Sequence, residues 1–180
     1  MDPYVIDIPA PVRWFLVNAI ILPRRPAESA KLYRKVWTER GSPLLVHLQD
    51  LGRKVQQHLG SEWVVVGGMR YGNPSIESAV DQLLAQGVTE LVVLPMYPQY
   101  SLAATESSRA ETLAILKRKA PGLKTRMVGA FYSDPNFIDA FVKRAREGLE
   151  GFAHDFVLFS FHGLPVRQVR KTDPFGKVFE

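Results

Sequence analysis

The chain has four histidines, His47, His58, His154 and His162, and imidazole is the side chain type suited to both proton transfer and metal ligation. His162 stands apart from the others. It directly follows the apolar run DFVLFSF (155–161) and precedes Gly163-Leu164-Pro165, which forces a turn. If that run is a strand, His162 leaves its end and projects into whatever cleft lies there. A neutral imidazole in that place can take a proton or ligate a divalent metal. The competing reading is an imidazole satisfied by the turn itself. His47 and His58 lie in a helical pattern and His154 in a turn, and none of the three suggests a role. No second histidine sits at metal-ligand spacing from His162, which argues against a self-contained metal site. GxSxG is absent, so there is no nucleophile elbow.

Two further places combine chemically useful side chains. Gly67-Gly68-Met69-Arg70-Tyr71-Gly72-Asn73-Pro74 is glycine-rich but fails both phosphate-binding patterns. Asn73 stands where a P-loop needs lysine, and Met69 where a dinucleotide fingerprint needs glycine. Arg70 and Tyr71 join a fixed cation to an amphipathic ring, which suits a flat ligand bearing carboxylates. The alternative is that Arg70 pairs with an acid of the chain while Tyr71 packs on the next helix. In Pro95-Met96-Tyr97-Pro98-Gln99-Tyr100-Ser101, prolines stiffen two tyrosines into an apolar wall, either a pocket lining or a plug over the core. Ser101, next to a helical pattern, reads most simply as an N-cap.

These spots need elements to hold them. Four short apolar runs read as buried parallel strands: 63–67, 90–95, 124–131 and 155–161. Amphipathic stretches lie between them. The first, 75–86, has Ser75 at its start and Gly87 just past its end, and the second covers 105–119. The third, 134–150, opens on Asp134-Pro135 and closes at Gly151. Strand–helix alternation predicts an α/β parallel sheet flanked by helices. Ligands of such sheets sit beyond the carboxyl ends of the strands. That rule puts the segments after the four runs, which begin near Gly67, Pro95, Phe131 and His162, on one rim. The first 60 residues instead predict helices at 12–22, 27–37 and 44–59, punctuated by Pro9, Pro11, Pro23, Pro26 and Pro43. The helical opening and the stop soon after the fourth run imply that both ends belong to something longer.

Composition narrows the class. A chain of 180 residues suits one domain. With 46% hydrophobic and 23% charged residues, it has the apolar content that disorder lacks. The absence of cysteine excludes disulfides, a zinc ribbon and a cysteine-held iron–sulfur cluster within these residues. The net charge of +5 favours anionic ligands, but the cations are spread over helical faces and form no nucleic-acid patch. No run reaches the ~18–20 apolar residues of a membrane span. No signal peptide is visible, so a cytoplasmic location is expected.

In ordered blocks the sequence resembles ferrochelatase, the enzyme that inserts ferrous iron into protoporphyrin IX. The blocks are IILPRRPAESAKLYRKVWTERGSPLL at 20–45, GMRYGNPSIESAVDQLLAQG at 68–87, LPMYPQYS at 94–101 and FSFHGLP at 159–165. The resemblance implies a chelatase-like fold in which two Rossmann-like halves clasp the porphyrin. It makes 1–180 a single N-terminal domain with its first strand missing. That domain has a helical lead-in (1–60), a strand–helix alternation (61–165) and a truncated tail (166–180). The C-terminal half, with the carboxylate that partners the catalytic histidine, is absent. Thr172 and Phe175 depart from the family's usual tail, and no role is carried onto them.

By resemblance, His162 takes the family's metal-binding and proton-abstracting role. Arg70 and Tyr71 lie beside the macrocycle, and Tyr97, Tyr100 and Ser101 lie near the cleft. Ser42, in GSPLL, matches a position that can reach a porphyrin edge in some relatives. Ferrous iron enters as substrate, with no prosthetic group, and neither nucleic acid nor a membrane span is implied. The exposed sheet edge left by the missing strand makes self-association an expectation. On this reading the chain is inert until completed. The alternatives are a non-catalytic module that binds a tetrapyrrole or a metal, and an unrelated domain for phosphorylated ligands, which the failed glycine patterns disfavour.

Overall fold

In the computed structural model, residues 2–173 are described, and Phe175 lies outside them. The fold is α/β. Helix α1 (Ala10–Phe15) runs through a π-helical stretch (Leu16–Ile21) into α2 (Leu22–Val36), and α3 (Pro43–Leu59) follows. Next come α4 (Ile76–Ala85), β1 (Glu90–Val93), a second π-helical stretch (Leu102–Glu106) and α5 (Ser107–Lys119). The chain continues through β2 (Lys124–Met127), α6 (Pro135–Leu149) and α7 (Val166–Thr172).

β1 and β2 are parallel, with Glu90 opposite Lys124 and Val93 opposite Met127. One more backbone bond, Val128 N–H to the Val93 carbonyl at 2.9 Å, extends the ladder. The crossover between the strands is α5, as a parallel pair requires. Val80 of α4 and Ile115 and Leu116 of α5 form the buried centre, with Ile76, Leu84, Leu91 and Leu123 packed around it. Ion pairs stitch α4 to α5 at the surface. Glu77 meets Arg118 at 2.8 Å and Lys119 at 2.9 Å, and Asp81 meets Lys119 at 2.6 Å.

The cap signals worked where they were local. Ser75 accepts from the Ser78 N–H at 3.0 Å and starts α4. Asp134 accepts from Asn136 and Phe137 and starts α6, with Pro135 in the first turn. Phe137 of α6 meets Phe131 edge-on, with ring centres 5.3 Å apart, which seats the helix on the segment that follows β2.

Three expectations need correction. Residues 63–67 form no strand, and among the described residues they pair with none. The Gln56 side chain of α3 takes the partner's place, accepting from the Val65 N–H and donating to the Trp63 carbonyl, both at 2.8 Å. Residues 155–161 also form no strand. Phe156, Leu158, Phe159 and Phe161 are exposed, and among the described residues no ladder bond joins this run to β1 or β2. An apolar run is only a candidate strand until another backbone lies beside it. Finally, the prolines do not divide 10–36 into two helices. In the π-helical stretch the Leu22 N–H reaches back five residues to the Val17 carbonyl. That wider turn relaxes the backbone just ahead of Pro23 and Pro26, where a tight helix would lose donors and clash.

Candidate functional site

The glycine-rich segment is shaped by packing. A Cβ on Gly67 would stand 3.0 Å from Leu48 Cγ, and one on Gly68 would stand 3.0 Å from the Ile76 Cα. The glycines therefore let the chain pass close to α3 and α4. Beyond them the Met69 N–H donates to the Pro74 carbonyl at 2.7 Å, and the Ile76 N–H donates to the Met69 carbonyl at 3.2 Å. The resulting turn, which contains a cis Asn73–Pro74 bond, holds Arg70 and Tyr71 at its outer end.

Both side chains converge on Asp2. Its Oδ2 accepts from Arg70 Nη2 at 2.9 Å, from Tyr71 Oη at 2.6 Å and from Ser107 Oγ. Its Oδ1 accepts from the Tyr4 N–H at 2.8 Å. Arg70 Nε donates to Ser107 Oγ at 2.8 Å, and Glu111 lies 3.6 Å from the guanidinium. The guanidinium also sits 4.8 Å from the centre of the Tyr71 ring. Only 5% of the Asp2 side chain is exposed. Burial alone would raise its pKa. The hydrogen bonds from Ser107, Tyr71 and the Tyr4 N–H, with the charge of Arg70, outweigh burial and hold the carboxyl below its ordinary range. Burial, then the bond to Asp2, pushes the Tyr71 phenol up.

The second segment is tied to the same helix. Ser101 accepts from the Ala104 N–H at 3.2 Å and so caps the helical run that leads to Ser107. Tyr100 donates to Glu106 at 3.3 Å, and burial together with the Glu106 charge raises its phenol pKa. Tyr97 is exposed. The Pro98 carbonyl accepts from the N–H groups of Phe131 and Tyr132 at 3.0 and 3.1 Å, which joins the segment after β1 to the one after β2. Hydrogen bonds thus link three of the four expected rim segments: Arg70 and Tyr71 through Ser107, Tyr100 and Ser101 through the start of that helical run, and Phe131 through Pro98.

His162 is exposed on the stretch before α7, and among the described residues no hydrogen bond or ion pair engages it. Ser42 stands apart, at the N-cap position of α3, with no capping bond from its hydroxyl. A groove of about 840 Å³ runs along α6 between Asp139 and His154 and touches none of the expected site residues. Among the described residues no three His, Asp or Glu side chains converge as metal ligands.

Sequence reasoning missed Asp2 and Ser107. Nothing local marks either residue, because the bond between them spans 105 positions. The alternative reading of Arg70, as the partner of an acid, pointed toward them without naming the acid.

The family model described as Ferrochelatase matches residues 1–180. A ferrochelatase of Coxiella burnetii (strain RSA 493 / Nine Mile phase I) is 43% identical over 171 residues, which is 95% of this chain and 47% of that protein. A ferrochelatase of Pseudomonas fluorescens biotype C is 41% identical over 177 residues, 97% of this chain and 50% of that protein. One of Ectopseudomonas mendocina (strain ymp) is 41% identical over 180 residues, 98% and 51% respectively. The chain therefore spans about half the length of the curated relatives it matches.

Proposed function

Because this chain belongs to the ferrochelatase family, we propose that it forms the N-terminal half of a protein that inserts ferrous iron into protoporphyrin IX. The observation that carries the reading is an exposed imidazole within the FSFHGLP block of a chain that matches the family model throughout.

Metallation removes two pyrrolic protons from the free-base ring, while iron sheds water. Both steps require a base or ligand on one face of the macrocycle. His162 supplies it. An imidazole lone pair can accept a pyrrolic proton or hold the incoming ion. On this reading a carboxylate that works with it would come from the half of the relatives that this chain does not match.

Tyr71 and Tyr97, both exposed, offer ring surface to the macrocycle. Arg70 backs the Tyr71 ring and is neutralised by Asp2, so it acts on the ligand through the tyrosine more than as a free cation. Tyr100 and Ser101 spend their hydroxyls on Glu106 and the helix start, and they fix the wall that carries Tyr97. Ser42 keeps its hydroxyl for a porphyrin edge.

Porphyrin fluorescence tests the reading. The chain alone should leave protoporphyrin IX fluorescent in anaerobic ferrous iron. The chain completed with the remaining half of a relative should quench it catalytically. Turnover by the chain alone, or none by a folded completed protein, contradicts the proposal.

A further inference from the structure

Residues 2–8 touch two places that lie far apart along the chain. At one end is the Asp2 cluster with Arg70, Tyr71 and Ser107. At the other, the Asp7 carboxylate accepts from Lys171 Nζ at 2.9 and 3.0 Å, and the Tyr4 carbonyl accepts from Gln168 Nε2 at 3.4 Å. Gln168 is buried, so this contact lies inside the protein. Lys171 and Gln168 belong to α7, whose N-cap, Pro165, comes three residues after His162. Arg13 of α1 reaches back to the carbonyls of Ile6 and Ile8 at 3.4 and 3.2 Å and holds the segment from its downstream side.

We infer that residues 2–8 are a strap, and that Asp2 and Asp7 are positioning residues which set the turn carrying His162 relative to the segment carrying Arg70 and Tyr71. The reason is mechanical. Helix α7 has seven residues, too few for a helix to persist on its own in water. Among the described residues, the run before it, 155–161, has no strand pairing to locate it. Among the described residues, the side-chain bonds leaving α7 end on residues 2–8. The charges agree: Lys171 of α7 lowers the pKa of the strap residue Asp7 through its hydrogen bond, and the charges of Lys171, Arg167 and Arg13 act in the same direction. The seven-residue strap is short and anchored at both ends, so a shift at one end is felt at the other.

That the two ends serve one catalytic cleft rests on the ferrochelatase reading, but the strap itself does not. The test therefore involves neither porphyrin nor iron. The chain has no cysteine, so Gln82→Cys on α4 and Gly163→Cys beside His162 accept spin labels at those sites alone. Pulsed dipolar spectroscopy should give one narrow distance distribution in this background. Adding Asp7→Asn should raise the displaced population about two- to fivefold, the scale of losing one exposed ion pair. Asp2→Asn, at the far end of the strap, should broaden the same distribution. If Asp2→Asn unfolds the chain, seen as loss of helical circular dichroism, Asp7→Asn decides alone. A distribution unmoved by Asp7→Asn, or by a folded Asp2→Asn, overturns the strap.

Discussion

Replacing Asp2 by alanine should destabilise the chain by about 2–3 kcal/mol. The Asp2 carboxylate accepts hydrogen bonds from Arg70, Tyr71, Ser107 and the Tyr4 N–H. Hydrogen bonds to a charged group are worth roughly 1.5–3 kcal/mol each when tested singly, and removing one partner of a buried pair costs about 3–5 kcal/mol. The lower end applies because Arg70 keeps Ser107 and has Glu111 at 3.6 Å. In urea, with a slope of about 2 kcal/mol per molar, the midpoint should fall by about 1–1.5 M. The pH dependence follows from the sign of the shift. The folded pKa of Asp2 lies below its ordinary value of 3.8. Its contribution is therefore fully present above the unfolded pKa and is lost as pH falls through the lower, folded value. Asp2→Ala and the parent should differ most near neutrality and converge in strong acid. A loss under 0.5 kcal/mol at neutral pH, or a difference that persists unchanged through strong acid, refutes the reasoning.

Gly68→Ala should destabilise by about 1–3 kcal/mol, because the added carbon meets backbone of α4 that cannot swing aside; thermal melts check this. The described sheet has two strands, so β1 and β2 each present an open edge, and Phe156, Leu158 and Phe159 are exposed nearby in sequence to His162. Sedimentation should therefore show concentration-dependent self-association of the isolated chain, and a monomer at every concentration would contradict it.

Local signals were the ones the sequence made readable. Ser75, Asp134-Pro135 and Ser101 each placed a helix start, because a cap bonds to an N–H only two or three residues away. The runs at 90–95 and 124–131 gave a true parallel pair, though each strand ends sooner than its apolar stretch. The runs at 63–67 and 155–161 look the same in sequence, but pairing depends on a neighbour that no period of two reveals. Pro23 and Pro26 misled for a related reason, since the π-helical stretch that accommodates them has no pattern of its own. In the site, Arg70 and Tyr71 stood out by type, yet the carboxylate that organises them is 68 positions away from Arg70.

The central claim is that His162 carries the chemistry. In the completed protein, His162→Ala should lower the rate of iron insertion by about 10²–10⁴-fold while porphyrin affinity, read from fluorescence quenching on binding, stays within a few-fold. A folded variant that inserts iron at the parent's rate would contradict the account.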